Sequence, residues 1–274
     1  MNTLDDAKKK AATTYNAASD HYDDPANTFW ERYGKRTVER LRLKPGARVL
    51  DVCCGSGASA LPAAEAVGPS GSVVGVDLAE SLLQLARTKA KQRGLENVEF
   101  RSGDMTNLPF ETGSFDVVVC VFGIFFVPDM QLALHELKRV LRTGGTLAIT
   151  TWGPRLFEPA NTVFWNAVRE ARPDLHKGFN PWDRISEVED VRSLLEAAGL
   201  SEIEAVAETG FQPVNSPEHW WSMILGSGYR GTVDQLSAAD RERVRDANFG
   251  FINRASVQSV ETNVVYALGH KAAH

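Results

Sequence analysis

The chain has 274 residues, of which 43% are hydrophobic and 24% are charged, and its formal net charge is −5. This length suffices for one large domain, or for one domain with added elements, and the composition is typical of a globular protein. The acidic balance argues against a broad basic face that would bind a nucleic-acid backbone.

The N-terminal 20 residues are polar and lack the apolar core of a secretory signal. The longest apolar run, 117–127, is far shorter than the roughly 20 residues of a membrane helix. Cys53, Cys54 and Cys120 lie in apolar stretches without metal-ligand spacing, so we expect reduced, buried thiols and no metal site. Together these features predict a cytoplasmic protein without membrane insertion.

Short apolar runs rich in β-branched residues alternate with amphipathic, helix-like segments. Such runs are typical of strands buried on both faces of a parallel sheet. Five of them cover 47–54, 71–78, 97–104, 114–123 and 145–153. Two further strands are predicted over 202–214 and 259–271. The pattern predicts a doubly wound α/β fold with a seven-stranded, mostly parallel, Rossmann-like sheet whose last strand is antiparallel.

Three segments fall outside this alternation and contain most of the tryptophans. We interpret them as helical lid segments that hold the acceptor, because the chain leaves the sheet and returns to it. They cover about 1–45, 154–185 and 215–257. The whole chain, 1–274, is therefore predicted to be a single domain. Its core is expected to comprise about 46–153, 186–214 and 259–271.

A glycine turn joins the first strand to the first helix. Gly55, Gly57 and Ala60 spell GxGxxA. Glycines let the backbone pass close to a ligand, and the helix N-terminus offers unpaired N–H groups. Alone, this turn is compatible with NAD, FAD or S-adenosylmethionine.

Carboxylates end the next two strands, Asp77 on the second and Asp104 on the third. Ligands of such sheets bind at the carboxyl ends of the strands, so these acids should converge with Asp51, the glycine turn and Phe122. Asp77 stands where a carboxylate can accept hydrogen bonds from both ribose hydroxyls. A second acid beyond it suits the amine of an adenine and would be a poor neighbour for a second phosphate.

At this point the sequence resembles the class I S-adenosylmethionine-dependent methyltransferases, in the small-molecule branch related to the ubiquinone/menaquinone C-methyltransferases. The matching stretches lie within residues 48–200. They read VLDVCCGSG, VVGVDLAESLLQLAR, FRSGDMTNLPFETGSFDVVVCVFGIFFVPD, LKRVLRTGGTLAIT and VRSLLEAAGL. The family often has Thr or Ala where Cys54 and Ser56 stand here, which is a mild departure.

The resemblance implies a role for each matching residue. Gly55 and Gly57 would lie against the methionine portion of the donor, Asp77 on its ribose and Leu78 against its adenine. Asp104 and the Met105 backbone would meet the adenine amine, and Asp51 would position the loop and the donor's amino group. The full predicted set of cofactor-binding residues is Tyr15, Tyr22, Asp51, Gly55, Ser56, Gly57, Asp77, Leu78, Gly103, Asp104, Met105 and Phe122.

Aromatic side chains predict the nature of the methyl acceptor. The turn after the fourth strand reads VFGIFF and offers no paired acceptors for an amine. Tyr15 and Tyr22 could fold over the donor, where an aromatic face near a sulfonium allows a cation–π contact, or could simply pack on the core. The predicted acceptor-binding residues are Phe126, Trp152, Trp182, Trp220 and Trp221.

The predicted activity is methyl transfer from S-adenosylmethionine, which leaves S-adenosylhomocysteine, to an apolar or aromatic small molecule. The predicted target atom is an oxygen or a carbon, with nitrogen as the alternative. His21, His176 and His219 lie in the lid segments and are candidates for a general base, the alternative for each being a surface histidine. The alternatives are an NAD-dependent oxidoreductase, a non-catalytic adenosyl-binding module and a nucleic-acid methyltransferase. The sequence leaves the acceptor, the pathway and the oligomeric state open.

Overall fold

The computed structural model describes residues 4–272. In this range the chain forms ten α-helices and nine β-strands. The strands are β1 Arg48–Val52, β2 Ser72–Asp77, β3 Val98–Ser102, β4 Phe115–Val121, β5 Leu141–Trp152, β6 Ser201–Glu208, β7 Phe211–Pro213, β8 Ser259–Glu261 and β9 Val264–His270. The helices are α1 Leu4–Tyr22, α2 Phe29–Leu41, α3 Ala60–Val67, α4 Glu80–Gln92, α5 Met130–Val140, α6 Ala160–Ala171, α7 Val188–Ala197, α8 Pro217–Leu225, α9 Arg230–Val233 and α10 Ala238–Arg254.

Within residues 4–272, seven strands form one sheet in the order β3-β2-β1-β4-β5-β9-β6. The pairs from β3 to β5 are parallel, and β9 runs antiparallel to both of its neighbours. The predicted Rossmann-like fold class, with an antiparallel last strand, is therefore confirmed. The strand order reverses between β1 and β4, and this reversal opens a crevice at the carboxyl ends of those two strands.

The two strands predicted over 202–214 and 259–271 are each broken in the structure. β7 and β8 leave the large sheet and pair with each other as a separate antiparallel ribbon. The breaks face one another, because the Thr262 N–H donates to the Gly210 carbonyl at 2.8 Å. The Tyr33 hydroxyl of α2 also donates to the Thr262 carbonyl at 2.6 Å, so a distant helix holds this corner.

Burial explains why the central strands are continuous apolar runs. Val49, Leu50 and Val52 of β1 and Val118 of β4 are fully buried, as two-sided coverage of a parallel sheet requires. The helices between the strands begin and end on local signals. The Asp129 side chain, for example, accepts from the Leu132 N–H at 3.0 Å and starts α5.

Helices from the predicted lid segments pack on one another and on the sheet helices. Helix α1 contacts α4, α8 and α9, and α10 contacts α6 and α8. The division into core and lid segments stays a prediction. No helix within residues 4–272 is both long enough and apolar enough to cross a membrane.

Candidate active site

A cavity lies at the carboxyl ends of β1 to β4. It holds about 750 Å³ of empty space, part of it open to solvent. Ten of the residues predicted to bind cofactor or acceptor line it. They are Tyr15, Tyr22, Gly55, Asp77, Leu78, Gly103, Asp104, Met105, Phe122 and Phe126.

The glycine turn after β1 is held against the end of β2. The Gly55 N–H donates to Asp77 Oδ2 at 2.9 Å, and Gly55 has a φ of 52°. A β-carbon on Gly55 would lie 3.0 Å from the Tyr22 hydroxyl. The turn therefore presents bare backbone to the cavity, which is the arrangement that a closely approaching ligand needs.

Asp77 is fixed by backbone donors alone. Its Oδ1 accepts from the Ala79 N–H at 2.8 Å, in addition to the Gly55 bond on Oδ2. Burial raises the pKa of this carboxyl, and the backbone hydrogen bonds oppose that shift. A carboxylate has about four lone-pair positions, so some remain for ligand hydroxyls beside the backbone N–H groups of Gly55, Leu78 and Ala79.

Asp104 already has a cationic partner. Lys8 Nζ of α1 lies 2.5 Å from Asp104 Oδ2 and 2.8 Å from the Thr106 hydroxyl. Asp104 Oδ1 also accepts from the Thr106 N–H at 2.8 Å. Burial alone would raise the pKa of the Asp104 carboxyl, but the bonds from Lys8 and Thr106 outweigh that effect and lower the pKa. A ligand amine at Asp104 would therefore have to share or replace the Lys8 contact.

Helix α1 crosses the cavity from end to end. Lys8 stands at Asp104 beside the end of β3, and Tyr22 stands at Gly55 beside the end of β1. Between them Ala11, Ala12 and Tyr15 also line the cavity, at the spacing of one helical face. One face of α1 thus covers the crevice, and we call this helix face the roof of the cavity.

Aromatic rings close the end of the cavity near β1 and β4. Tyr22 stacks on Trp30 with ring centroids 5.0 Å apart, and Trp30 meets the edge of Phe122 at 5.6 Å. Phe122 in turn stacks on Trp152 at 3.9 Å. On the α1 side, Tyr15 lies edge-on to Phe126 at 5.5 Å. This end can receive a flat apolar group and exclude water from it.

Two residues at the reversal of strand order have left-handed backbones. Cys53 follows β1 with a φ of 60°, and Phe122 follows β4 with a φ of 54°. Such conformations cost of order 1–3 kcal/mol for residues other than glycine and are enriched at ligand sites. Here they turn the chain sharply out of each strand where it meets the cavity.

Three predicted cofactor residues lie behind the turn, outside the cavity lining. Asp51 is buried, and its Oδ2 accepts from the Ser59 hydroxyl at 2.7 Å. Burial raises the pKa of Asp51 to about 7, and the bond from Ser59 opposes that rise. Ser56 donates to Asp23 at 2.7 Å, while Gly57 packs close to Leu61. The other Asp51 oxygen, Oδ1, is buried and has no hydrogen-bond partner among the described residues, and the predicted roles of Asp51, Ser56 and Gly57 at the donor stay predictions.

The predicted tryptophans lie outside the cavity lining as well. Trp152 stands one layer back, behind Phe122. Trp182 packs against Phe125 with centroids 5.8 Å apart. Trp220 is fully buried and its indole N–H donates to Asn248 at 2.8 Å, whereas Trp221 is partly buried against the core.

None of the three histidine candidates lines the cavity. His21 lies in the last turn of α1, where its carbonyl accepts from the Asn27 side chain at 2.7 Å. His176 meets the edge of Trp165 at 6.2 Å in a separate groove. The His219 Nδ1 is buried and has no hydrogen-bond partner among the described residues.

Sequence reasoning missed several residues that line the cavity, chiefly Lys8, Trp30, Cys53 and Val127. The helical spacing of Lys8, Ala11, Ala12 and Tyr15 could have revealed the α1 stripe. Trp30 carried no such signal, because its position depends on how α2 packs. Among residues 4–272, no three His, Cys, Asp or Glu side chains converge as a metal site would need.

The sequence is similar to those of known methyltransferases. The model of the ubiE/COQ5 methyltransferase family matches residues 6–164. A demethylmenaquinone methyltransferase of Listeria welshimeri is 36% identical over 192 residues, which are 69% of this chain and 80% of the relative. The enzyme of the same name from Staphylococcus carnosus is 30% identical, covering 74% of this chain and 90% of the relative.

Solved structures agree with these relatives. A SAM-dependent methyltransferase from Aquifex aeolicus superposes with a TM-score of 0.53 and 25% identity, over 70% of this chain and 89% of that one. A phosphoethanolamine N-methyltransferase of Haemonchus contortus, in complex with S-adenosylhomocysteine, gives a TM-score of 0.61 at 17% identity. It covers 97% of this chain and 60% of that one, and the likeness extends to the fold alone.

Proposed function

Because the chain belongs to the ubiE/COQ5 methyltransferase family, we propose that it transfers the methyl group of S-adenosylmethionine to a ring carbon of a quinone-type aromatic molecule. Membership makes it an S-adenosylmethionine-dependent methyltransferase with a small-molecule substrate. The alternatives of an NAD-dependent oxidoreductase and a non-catalytic adenosyl-binding module find no support among the relatives.

The cavity supports a specific seat for the donor. The Gly55 backbone would face the methionine portion, Asp77 would accept from the ribose hydroxyls, and Asp104 would receive the adenine amine. Leu78 and Met105 would flank the adenine, since both line the cavity between the two acids. The free lone pairs of Asp77 carry this part of the proposal, because its backbone bonds already fix its orientation.

The aromatic end supports a flat acceptor. Trp30, Phe122 and Phe126 form apolar walls beside the glycine turn. Trp152, Trp182, Trp220 and Trp221 would shape this end from behind without direct contact. The names of the relatives supply the acceptor class, demethylmenaquinone being a quinone that lacks one ring methyl group.

Orientation and exclusion of water would be the protein's main contribution to catalysis. When bound, the sulfonium would supply an electrophilic methyl group; as that methyl bonds to the acceptor carbon, the C–S electron pair would stay on sulfur. The proton of the ring C–H bond would then leave to water at the open part of the cavity, and its electron pair would return to the ring. The walls hold the acceptor in line with that bond, and such alignment can supply about 7–11 kcal/mol of barrier lowering. His21, His176 and His219 stand apart from the cavity, so the acceptor would need to arrive as an electron-rich ring.

A direct assay tests the proposal. The purified chain is incubated with S-adenosylmethionine and a chemically reduced naphthoquinone that lacks a ring methyl group, and the product is identified by mass spectrometry. We expect a gain of one methyl group on the ring and equimolar S-adenosylhomocysteine. Methylation on oxygen would correct the predicted atom, and absence of any product from a panel of quinols would refute the acceptor class.

We also propose a cytoplasmic location. The clustering of three thiols in apolar surroundings near the glycine turn supports it, because unpaired cysteines are typical of reducing compartments. The proposed partners are the donor and a small-molecule acceptor, without nucleic acid.

A further inference from the structure

A lysine of α4 reaches the outer side of the glycine turn. Lys89 Nζ lies 2.8 Å from the Ser56 hydroxyl oxygen and 3.0 Å from Asp23 Oδ1. The Ser56 hydroxyl donates to the same Asp23 oxygen at 2.7 Å, so the three side chains form a closed triangle of hydrogen bonds. The single hydroxyl proton goes to Asp23, and Ser56 therefore accepts from the Lys89 ammonium. Lys89 is thus the donor at two sides of the triangle.

The triangle joins three parts of the chain that surround the cavity. Ser56 belongs to the glycine turn, Asp23 directly follows the last residue of α1, and Lys89 belongs to α4. Tyr22, which precedes Asp23, lies at the other side of the same turn, where its hydroxyl would be 3.0 Å from a β-carbon on Gly55. The triangle therefore sets the separation between the glycine turn and the end of the roof that covers it.

Burial and charge direct Lys89 toward the turn. The Ser56 residue is 1% exposed, and the Lys89 side chain is 17% exposed. Hydrogen bonds of a charged group gain strength where water is partly excluded. A second acid, Glu31, lies 4.0 Å from Lys89 Nζ, beyond hydrogen-bonding distance, and is closer to Arg93 at 3.3 Å. The ammonium is therefore held chiefly by Ser56 and Asp23.

We propose that Lys89 is a positioning residue that holds the glycine turn against the end of the roof, and so fixes the two surfaces between which the methionine portion of the donor lies. This inference rests on the donor seat proposed above and is independent of the acceptor. Without the ammonium, the turn and the roof lose their common connection to α4 and can move apart. The donor would then leave faster, whereas its arrival would change little.

Donor binding tests this role without turnover. Lys89→Met keeps most of the aliphatic side chain and removes the ammonium. We expect S-adenosylhomocysteine to bind about five- to tenfold more weakly in calorimetry. Most of the loss should lie in the dissociation rate, which stopped-flow tryptophan fluorescence can follow because Trp30 lines the cavity. Lys89→Arg keeps the cation and should restore the affinity to within about twofold. Lys91→Met, at an exposed position of the same helix, is the matched control and should change neither quantity.

A double-mutant cycle separates positioning from a purely structural contact. Lys89→Met and Asp23→Asn should be non-additive in donor affinity, so that the double variant binds about as weakly as the weaker single variant. A contact that only stabilises the fold would show this coupling in urea unfolding and not in donor binding, which would overturn the inference. Unchanged donor affinity in the folded Lys89→Met protein would overturn it as well. A chain that shows the expected effect but methylates no quinol would overturn the proposed function and leave the role of Lys89 standing.

Discussion

Two carboxylates end neighbouring strands, yet their surroundings give them different properties. Asp77 is oriented by peptide N–H groups of the glycine turn and of the start of α4. Asp104 is held partly by the side chain of Lys8, which belongs to another element. Asp77 is therefore already oriented to bind a ligand. Asp104 must give up or share its contact with Lys8 before it can bind one.

Asp77 should contribute more than Asp104 to the affinity for the methyl donor. Charged hydrogen bonds are worth roughly 1.5–3 kcal/mol, so Asp77→Ala should weaken S-adenosylhomocysteine about 10- to 100-fold in calorimetry. Asp129→Ala is a suitable control, because it also removes an aspartate that accepts a backbone N–H near the start of a helix, but away from the cavity. Unchanged affinity in the folded Asp77→Ala protein would contradict the ribose assignment.

Residues at the strand ends could be predicted from the sequence because parallel topology alone brings them together. Asp77, Asp104 and the glycine turn needed no knowledge of side-chain packing. Trp30 reaches the cavity only because Gly34 lets α2 approach the chain at Ala58, and no local pattern encodes that contact. Long-range packing of this kind sets the acceptor end, which is why the sequence left the acceptor open.

At the scale of elements, α1 is the largest contribution to the site from outside the sheet. Its stripe meets the cavity at every turn from Lys8 to Tyr15. The Asn16 side chain also accepts from the Ser81 N–H of α4 at 2.9 Å, and Asp20 pairs with Arg230 at 2.9 Å. The roof is thus anchored on both sides of the crevice.

The contact between Lys8 and Asp104 should oppose donor binding. The pair is partly exposed, and such pairs contribute about 0.2–1 kcal/mol, so Lys8→Ala should tighten S-adenosylhomocysteine about two- to fivefold. The difference should shrink in 0.5 M salt as screening weakens the pair. Lys9→Ala, a change at the exposed neighbour, is the control. Weaker binding by Lys8→Ala would contradict the prediction. It would mean that the contact of α1 with the ligand outweighs the competition between Lys8 and the ligand for Asp104.

The close packing of α2 against Ala58 leaves no room for a side chain at Gly34. A β-carbon there would overlap the Ala58 carbonyl, whereas Gly178 has open space around it. Gly34→Ala should destabilise the protein by about 1–3 kcal/mol in urea unfolding, more than offsetting the better helix propensity of alanine. Gly178→Ala, the same substitution, should leave stability nearly unchanged. Equal stability of the two variants would contradict close packing of α2.

The broken strands show where element prediction fails. Residues 202–214 and 259–271 alternate as strands should, but each bends where Gly210 meets Thr262. The bend is stabilised by Tyr33, which lies far away in the sequence. The run from β1 to β5 was predictable because helices join its strands everywhere except between β3 and β4, and because the central strands β1 and β4 are largely buried.

At the scale of the whole molecule, the buried Asp51 couples folding to pH. Its folded-state pKa of about 7 lies above the roughly 3.9 of an unfolded aspartate, so the folded state binds the proton more tightly. The corresponding stabilisation is fully present below pH 4 and is lost as the pH rises toward 7. At neutral pH the ionised Asp51 carboxylate therefore destabilises the folded state.

Urea unfolding at two pH values measures this coupling. Between pH 5 and pH 8 the ionisation of Asp51 should lower the free energy of unfolding by about 3 kcal/mol. Asp51→Asn should remove that part of the pH dependence, because the amide does not ionise and its oxygen can still accept from Ser59. Parallel pH profiles for the two proteins would show that Asp51 is not the titrating group.

The anchored course of α1 over the crevice also bears on the end of the reaction cycle. With the donor seated as proposed, one face of the helix would lie over it from Asp104 to Gly55, which narrows the route by which the spent molecule leaves. The contacts of Asn16 and Asp20 that hold the helix in place play no part in bond making. How firmly the N-terminal helix is held would therefore bear on the rate of product release without changing the transfer itself.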